Sequence, residues 1–191
     1  SMVCYFTPLM TGGYRLYSTR DSSFWCCVGS GFESHAKYQS SIYFRGEGQG
    51  TRGKRLLYVN LFIPSELNWD GTVVRQETQF PESDKTVITI TNNREPLTVK
   101  LRYPYWATYM KVNGKKMKPG KEGYVTIHSL NARDAQSLNV EFGMALREEA
   151  TKDDPSRVSL MYGPIVLAGR LEDVPPPFSD PTKHNDYYTF D

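Results

Sequence analysis

Apolar and polar residues alternate along much of the chain beyond residue 55. Leu97, Val99 and Leu101 are each followed by a polar residue, and the same alternation runs from Leu138 to Phe142. A period of two predicts strands with one buried face, because successive side chains of a strand point to opposite sides of its sheet. Similar strand-like segments cover residues 56–63, 73–78, 86–91, 124–128, 157–161 and 165–171.

Turn residues separate these segments. Asn113-Gly114 lies between two short stretches of strand-like sequence, and this dipeptide is a strong signal for a tight type I′ hairpin. Many short strands punctuated by turns are typical of a sandwich of two sheets. The sequence therefore predicts a mainly β protein, an antiparallel β-sandwich preceded by a short loop and helix.

That helix is predicted over residues 30–44. Ser30 and Glu33 have the spacing of a capping box, in which the serine is the N-cap residue and the glutamate occupies the third helical position. Glu33 and Lys37 also have the i,i+4 spacing of a favourable ion pair. The capping role accounts for Glu33 without a catalytic function.

Glycine and proline divide the rest of the chain. Residues 46–53 are rich in glycine and predict a flexible connector after the helix. The predicted organisation is residues 1–45, which carry the helix, then a sandwich domain over residues 46–172, then a proline-rich linker or strap over residues 173–191.

The composition is that of an ordinary globular chain. Its 191 residues are 39% hydrophobic and 23% charged, which is enough apolar sequence for a packed core. A formal net charge of +2 is too small to indicate a nucleic-acid partner. No apolar run approaches the ~20 residues that a membrane-spanning helix needs. We therefore expect no nucleic-acid partner and no membrane partner, and three cysteines argue against a disulfide framework.

Two adjacent cysteines, Cys26 and Cys27, lie close to the predicted helix start. A thiol near a helix N-terminus feels the positive end of the helix dipole, which favours the thiolate. A thiolate is the form that acts as a nucleophile or binds a metal. The alternative is a pair of buried small hydrophobic residues, and composition alone leaves both interpretations open.

Other candidate site residues have simpler explanations beside the functional ones. Cys4 and His35 could join the cysteine pair as zinc ligands, but their spacing matches no standard zinc finger, and Cys4 also suits a buried strand. Flat aromatic rings could stack on sugars, or they could pack at the edge of the sandwich. The aromatic candidates are Trp69, Tyr103, Tyr105 and Trp106.

The block Phe-Trp-Cys-Cys-Val-Gly-Ser-Gly-Phe-Glu, residues 24–33, resembles the β-L-arabinofuranosidases of the DUF1680 type. These enzymes form glycoside hydrolase families 127 and 146. Weaker blocks follow in the same order along most of the chain. They cover residues 5–9, 14–18, 37–44, 58–65, 76–81, 112–114 and 162–169.

The resemblance implies a zinc-thiolate glycosidase. Cys26 would be both the nucleophile, which attacks the anomeric carbon of a β-L-arabinofuranoside, and a zinc ligand. Cys27 would be a second zinc ligand. The remaining ligands of such families are a glutamate and a cysteine of an upstream Glu-x-Cys segment, and the acid/base glutamate comes from an (α/α) barrel.

The first 25 residues contain neither Glu-x-Cys nor any glutamate. We therefore expect the chain to be the C-terminal portion of a larger zinc enzyme, inactive by itself, whose partners are the missing helical-barrel domain and an arabinose-containing glycan. Residues 1–45 would be the end of that barrel domain. The compartment stays open, with export from a glycan-degrading bacterium favoured.

Two alternatives belong to other functional classes. The first is a non-catalytic carbohydrate-binding or structural β-sandwich, which would bind glycans through Trp69 or Trp106. The second is a small zinc domain built from Cys4, Cys26, Cys27 and His35.

Overall fold

The structure, a computed structural model, describes residues 17–23, 25–47, 55–93, 95–130 and 135–169. Ser40–Ala168 forms one compact unit that contains the described strands, whereas the helix belongs to a second unit. In chain order the elements are helix α1 (Cys26–Tyr38), a 3-10 turn (Gln39–Ser41), and strands β1 (Tyr43–Glu47), β2 (Arg55–Val59), β3 (Ser65–Trp69), β4 (Thr72–Thr78), β5 (Lys85–Thr91), β6 (Leu97–Arg102), β7 (Met110–Val112), β8 (Lys115–Met117), β9 (Tyr124–Leu130), β10 (Gln136–Phe142), β11 (Leu146–Ala150), β12 (Val158–Tyr162) and β13 (Ile165–Val166).

Helix α1 begins four residues earlier than predicted. Trp25, in an extended conformation, is its N-cap residue, and the Val28 amide donates to the Trp25 carbonyl at 3.0 Å. Ser30 therefore lies inside the helix, where its hydroxyl donates to the Cys26 carbonyl oxygen at 3.3 Å. The predicted capping box at Ser30 is wrong, because the helix has already begun at Cys26 and Ser30 lies in its interior. The predicted pair of Glu33 and Lys37 is confirmed, with a separation of 2.6 Å.

The helix also ends earlier than predicted, at Tyr38. Tyr43 and Phe44 instead belong to β1, where they lie opposite Val59 and Tyr58 of β2. Pairing with a strand some fifteen residues away outweighs the local helical pattern, as tertiary context often does. β1 also includes the first two residues of the predicted connector, and the remainder of that connector lies outside the described residues.

Two sheets form a sandwich, as the sequence predicts. One has four strands in the order β1-β2-β6-β9, and the other has six in the order β3-β4-β5-β10-β7-β8. Alternate residues from both sheets enter a single core, so β4, β5, β6 and β10 each have one buried face. Fully buried members of this core include Val59, Val99, Leu101 and Val125 from the first sheet and Val74, Ile88, Met110 and Phe142 from the second.

One strand pair departs from the antiparallel pattern. β2 and β6 run parallel, with Leu57 opposite Val99 and Val59 opposite Leu101. Parallel neighbours need a crossover connection rather than a hairpin. Here β3, β4 and β5 supply that connection by crossing to the six-stranded sheet before the chain returns. The other pairs in both sheets are antiparallel.

Two hairpins turn on residues with positive φ. Asn113 (φ 49°) and Gly114 (φ 78°) join β7 to β8, which confirms the predicted turn. Asp70 (φ 51°) and Gly71 (φ 84°) join β3 to β4 in the same way. The sequence analysis did not predict this second hairpin, although Asp-Gly is a type I′ signal of the same kind.

A smaller sheet follows the sandwich along the chain. β11, β12 and β13 pair antiparallel, with Leu146 opposite Tyr162 and Ala150 opposite Val158. β12 confirms the strand predicted over residues 157–161 within one residue. The segment predicted over residues 165–171 is a strand only at Ile165–Val166, and residues 170–191 lie outside the described part. The domain boundaries at residues 45 and 172 stay predictions.

Replacing Gly143 with alanine should lower the free energy of unfolding by about 1–3 kcal/mol, the usual cost of overpacking. An added Cβ would lie 2.3 Å from Thr108 Oγ1 and 2.5 Å from Tyr109 Cδ1. Neither neighbour can withdraw freely, because the Gly143 backbone hydrogen bonds to both residues, at 2.9 and 2.8 Å. Urea unfolding of the chain measures the loss.

Gly120→Ala is the matched control for this substitution. The nearest atom to its added Cβ is 3.7 Å away, so we expect a change within about 0.5 kcal/mol. Equal stabilities for the two variants would contradict the packing described at Gly143.

Candidate functional site

The two adjacent thiols lie in the first turn of α1. Cys26 and Cys27 directly follow the N-cap residue Trp25, and their sulfur atoms are 3.7 Å apart. Both are free thiols, with Cys26 exposed and Cys27 half-buried. This exposure does not fit the interpretation of the pair as buried small hydrophobic residues. The arrangement instead presents two sulfur atoms together at one helix end.

The electrostatic surroundings of the pair come mainly from the helix and from the thiols themselves. The first turn of α1 contains no acidic residue, and no side chain caps it, so the positive end of the helix dipole acts on both sulfur atoms. Loss of solvent raises the pKa of the Cys27 thiol above its ordinary value, and the hydrogen bond and charge of Cys26 raise it further. Two thiolates this close would repel each other unless a cation lay between them.

His35 does not lie beside the thiols. It is nine residues beyond Cys26 on the same helix, which at 1.5 Å per residue is about 13 Å along the axis. Its Nδ1 donates to the Gly31 carbonyl at 2.7 Å, and its ring packs edge-on against Tyr38 at 5.6 Å. Two atoms bound to one zinc ion lie only about 4 Å apart. The small zinc domain that includes His35 is therefore wrong.

Other ligands for a metal at the thiols are not found near them in the described part of the chain. Cys4, the third cysteine, lies outside the described residues. Glu33 is engaged by Lys37. Within the described ranges, no group of three or more His, Cys, Asp and Glu side chains could hold a metal ion. The described residues near the thiols therefore supply two sulfur ligands for a metal ion.

The two tryptophans of the sandwich are held by packing. The Arg55 guanidinium lies 3.9 Å from the Trp69 ring centroid and also donates to the Trp69 carbonyl at 2.8 Å. Trp106 stacks on Phe80, with centroids 5.8 Å apart, and contacts Phe142 at 5.9 Å. One face of each indole is therefore occupied by a neighbouring side chain. These contacts favour the structural interpretation of both tryptophans over sugar stacking.

Tyr103 and Tyr105 have different surroundings from each other. Tyr103 packs partly against the core, and its amide donates to the Gly123 carbonyl at 2.9 Å. Tyr105 is 79% exposed, the highest value among the large apolar side chains of the described residues. The sequence analysis grouped the four aromatic residues together, because no local sequence signal indicates that Tyr105 is more exposed than the other three.

Two family models match the chain in consecutive segments. Residues 1–40 match the catalytic domain of the GH127 β-L-arabinofuranosidases, and residues 56–144 match the GH127 middle domain. The two matches follow each other along the chain. The chain belongs to glycoside hydrolase family 127. Cys26 and Cys27 lie in the catalytic-domain match of this family, whereas the sandwich falls mostly within the middle-domain match.

Two solved structures with TM-scores of 0.59 and 0.58 share the fold of this chain, and a third is similar over a shorter part of it. A GH127 β-L-arabinofuranosidase from Geobacillus stearothermophilus T6 is 22% identical over 74% of this chain, with a TM-score of 0.59. A protein described as a glycoside hydrolase is 16% identical over 81% of the chain, with a TM-score of 0.58. A GH127 β-arabinofuranosidase is 27% identical over 58% of the chain, with a TM-score of 0.48. Among curated proteins, no significant match was found.

The family-127 chain spans only part of these relatives. It covers 23% of the Geobacillus enzyme and 30% of the protein described as a glycoside hydrolase. None of the helices in the described residues is long and apolar enough to cross a membrane.

Proposed function

We propose that this chain is part of a retaining β-L-arabinofuranosidase and carries its nucleophile, Cys26. The observation that carries the proposal is the convergence of two thiols, 3.7 Å apart, at the start of a helix within the catalytic-domain match. The substrate would be a glycan with terminal β-L-arabinofuranosyl residues. The short coverage of the relatives supports a longer parent protein that supplies the other catalytic groups.

The reaction would take place in two displacements at the anomeric carbon. The Cys26 thiolate attacks this carbon, a C–S bond forms, and the glycosidic C–O bond breaks with its electron pair on the leaving oxygen. A carboxylic acid of the parent protein protonates that oxygen. Water then attacks the same carbon and gives its proton to that carboxylate, while the C–S electron pair returns to sulfur. Two inversions give net retention, with sulfur in place of the usual second carboxylate.

Zinc fits the thiol pair. Two sulfur atoms bound to a tetrahedral zinc ion at 2.3 Å each lie about 3.8 Å apart, and Cys26 and Cys27 have a sulfur separation of 3.7 Å. Zinc would keep both thiols deprotonated near neutral pH. Cys27 would hold the ion and orient the neighbouring sulfur, and Cys26 would also be free to attack the sugar. The other ligands would come from residues outside the described part of the chain.

By itself, the chain should turn over no arabinofuranoside. The acid/base group of this family is expected on a glutamate upstream of the cysteines, and the first 25 residues here contain none. Glu33, the nearest glutamate beyond the pair, is bound to Lys37 at 2.6 Å. Without a proton donor, the leaving oxygen would depart as an unstable alkoxide, and attack by Cys26 would be unproductive.

Trapping of the glycosyl-enzyme tests this proposal. A longer protein that adds the upstream catalytic region is loaded with zinc, mixed with an activated aryl β-L-arabinofuranoside and quenched in acid. We expect peptide mass spectrometry to find one anhydropentose unit on Cys26. His35→Ala, a change farther along α1, should give the same adduct. An adduct on a carboxylate residue would overturn the assignment of Cys26. A burst of aryl alcohol release with no adduct on Cys26 would overturn it as well.

A further inference from the structure

A groove in the sandwich lies between two loops that the sequence analysis did not predict to be neighbours. The loop after β6 and the loop before β9 are joined where the Tyr103 amide donates to the Gly123 carbonyl at 2.9 Å. Gly123 has a positive φ of 78°, which turns the second loop back toward β9. The groove has a volume of about 580 Å³, which is within the size range of small-molecule sites. Its lining includes Arg102, Tyr103, Tyr105, Trp106, Glu122 and Tyr124.

We propose that this groove is a saccharide-binding site, separate in sequence from the thiols and built on the middle-domain match. The first argument is a set of unused donors. Among the described residues, no hydrogen bond is formed by the Arg102 guanidinium, the Tyr103 hydroxyl or the Trp106 indole N–H. All three residues line the groove. Donors that the protein leaves unpaired are available to the oxygen atoms of a hydroxyl-rich ligand.

The second argument is the aromatic platform. Tyr105 is 79% exposed, yet its hydroxyl is held at 3.4 Å from both Arg147 Nη2 and Glu149 Oε2. Arg147 itself is fixed by Glu149 at 2.9 Å and by the Gly163 carbonyl. A ring that is already held in place loses little conformational freedom when it binds a ligand. The Arg147 guanidinium lies 5.5 Å from the Tyr105 ring centroid and so covers one face of the ring. Unlike Trp69 and Trp106, Tyr105 does not pack against the core of the described residues, and its other face is a pre-organised flat surface for the apolar face of a sugar ring.

The third argument is a matched acceptor. Glu122 is ion-paired with Lys100, and the hydrogen bond from Lys100 to Glu122 raises the pKa of the Lys100 ammonium above its ordinary value. The Glu122 carboxylate can still accept a sugar hydroxyl, because its side chain is largely exposed. The groove thus combines the donors of Arg102, Tyr103 and Trp106 with the carboxylate acceptor of Glu122, a mixture that matches the hydroxyl groups of a neutral saccharide, which both donate and accept.

The expected affinity of the groove for a saccharide follows from its open shape. A shallow, open site binds a neutral ligand weakly, and we expect a Kd on the order of 1 mM. Such a site would hold the glycan near the protein while the reactive sugar is processed elsewhere. This inference rests on membership of a glycoside hydrolase family, and not on the role of Cys26.

NMR titration of the full chain tests the site, with a β-L-arabinofuranosyl disaccharide as the probe. We expect saturable shift changes confined to the groove, and a loss of affinity of at least tenfold in Tyr105→Ala. Arg102→Gln should also weaken binding. Tyr17→Ala, which removes another exposed tyrosine outside the groove lining, should bind as the parent chain does.

Three checks keep the result interpretable. Tyr105→Ala should keep the unfolding midpoint of the parent chain, since the ring is largely exposed. The titration is repeated on Cys26→Ala, where unchanged binding separates this site from the proposed nucleophile. Absence of saturable binding, shift changes away from the groove, or an unchanged affinity in Tyr105→Ala would each overturn the proposal.

Discussion

Cys26→Ala should lower kcat of the longer, zinc-loaded enzyme on an aryl β-L-arabinofuranoside by about 10⁴-fold or more, with little change in KM. The substitution removes the atom that forms the covalent bond, and loss of a nucleophile costs orders of magnitude in the chemical step. Alanine has no nucleophilic atom at this position, so water would have to attack the anomeric carbon directly. Steady-state release of the aryl alcohol, with zinc content measured on the same samples, gives the result.

The zinc measurement and a helix variant separate chemistry from structure. His35→Ala should keep the wild-type rate, because His35 is about 13 Å along the helix from Cys26. Cys27→Ala should lower both zinc content and rate, since its proposed role is to hold the ion. A Cys26→Ala enzyme that binds zinc and keeps more than a tenth of the wild-type kcat would exclude Cys26 as the nucleophile.

Phe142→Ala should lower the free energy of unfolding of the chain by about 3–5 kcal/mol. The Phe142 side chain has no exposed surface and lies where three aromatic rings meet. Its ring centroid is 4.7 Å from that of Phe62, 5.6 Å from Phe80 and 5.9 Å from Trp106. Alanine would leave a cavity that these large rings cannot collapse to fill. Because domains are stable by only about 5–15 kcal/mol, much of the total stability would be lost.

Urea unfolding followed by tryptophan fluorescence measures this loss, and two further variants control it. Phe142→Leu keeps most of the volume and should cost about 1–2 kcal/mol, so it stays measurable if the alanine variant does not fold. Phe44→Ala removes a phenylalanine that is 46% exposed in β1, and it should cost less than about 1 kcal/mol. Similar losses at Phe44 and Phe142 would contradict the described core.

Much of the sandwich could be predicted because its signals are local. The alternation of Leu97, Val99 and Leu101 is a property of neighbouring residues, and all three are fully buried in β6. Asn113-Gly114 likewise forms its turn from the backbone preferences of two residues. The tertiary structure then added a role for this asparagine, whose Oδ1 accepts from the Asn139 amide of β10 at 2.8 Å.

The helix boundaries and the strand directions were harder because competing partners lie far along the chain. Ser30 and Glu33 have the letters of a capping box, but the helix had already begun at Cys26. Tyr43 fits the helical pattern of the sequence, but in the structure it pairs with Val59 of β2. The parallel alignment of β2 and β6 follows from a crossover through the other sheet, which no window of neighbouring residues contains.

The sequence by itself determined the β class of the fold, the family resemblance and the presence of two adjacent thiols close to a helix start, because period-two alternation and a specific motif are contained in consecutive residues. Only the tertiary structure decided the sulfur separation of Cys26 and Cys27, the burial of one face of each tryptophan, and the exposure of Tyr105 beside Arg102 and Glu122. These properties depend on which distant side chains share space. Packing sets them, and packing is a property of the folded chain as a whole.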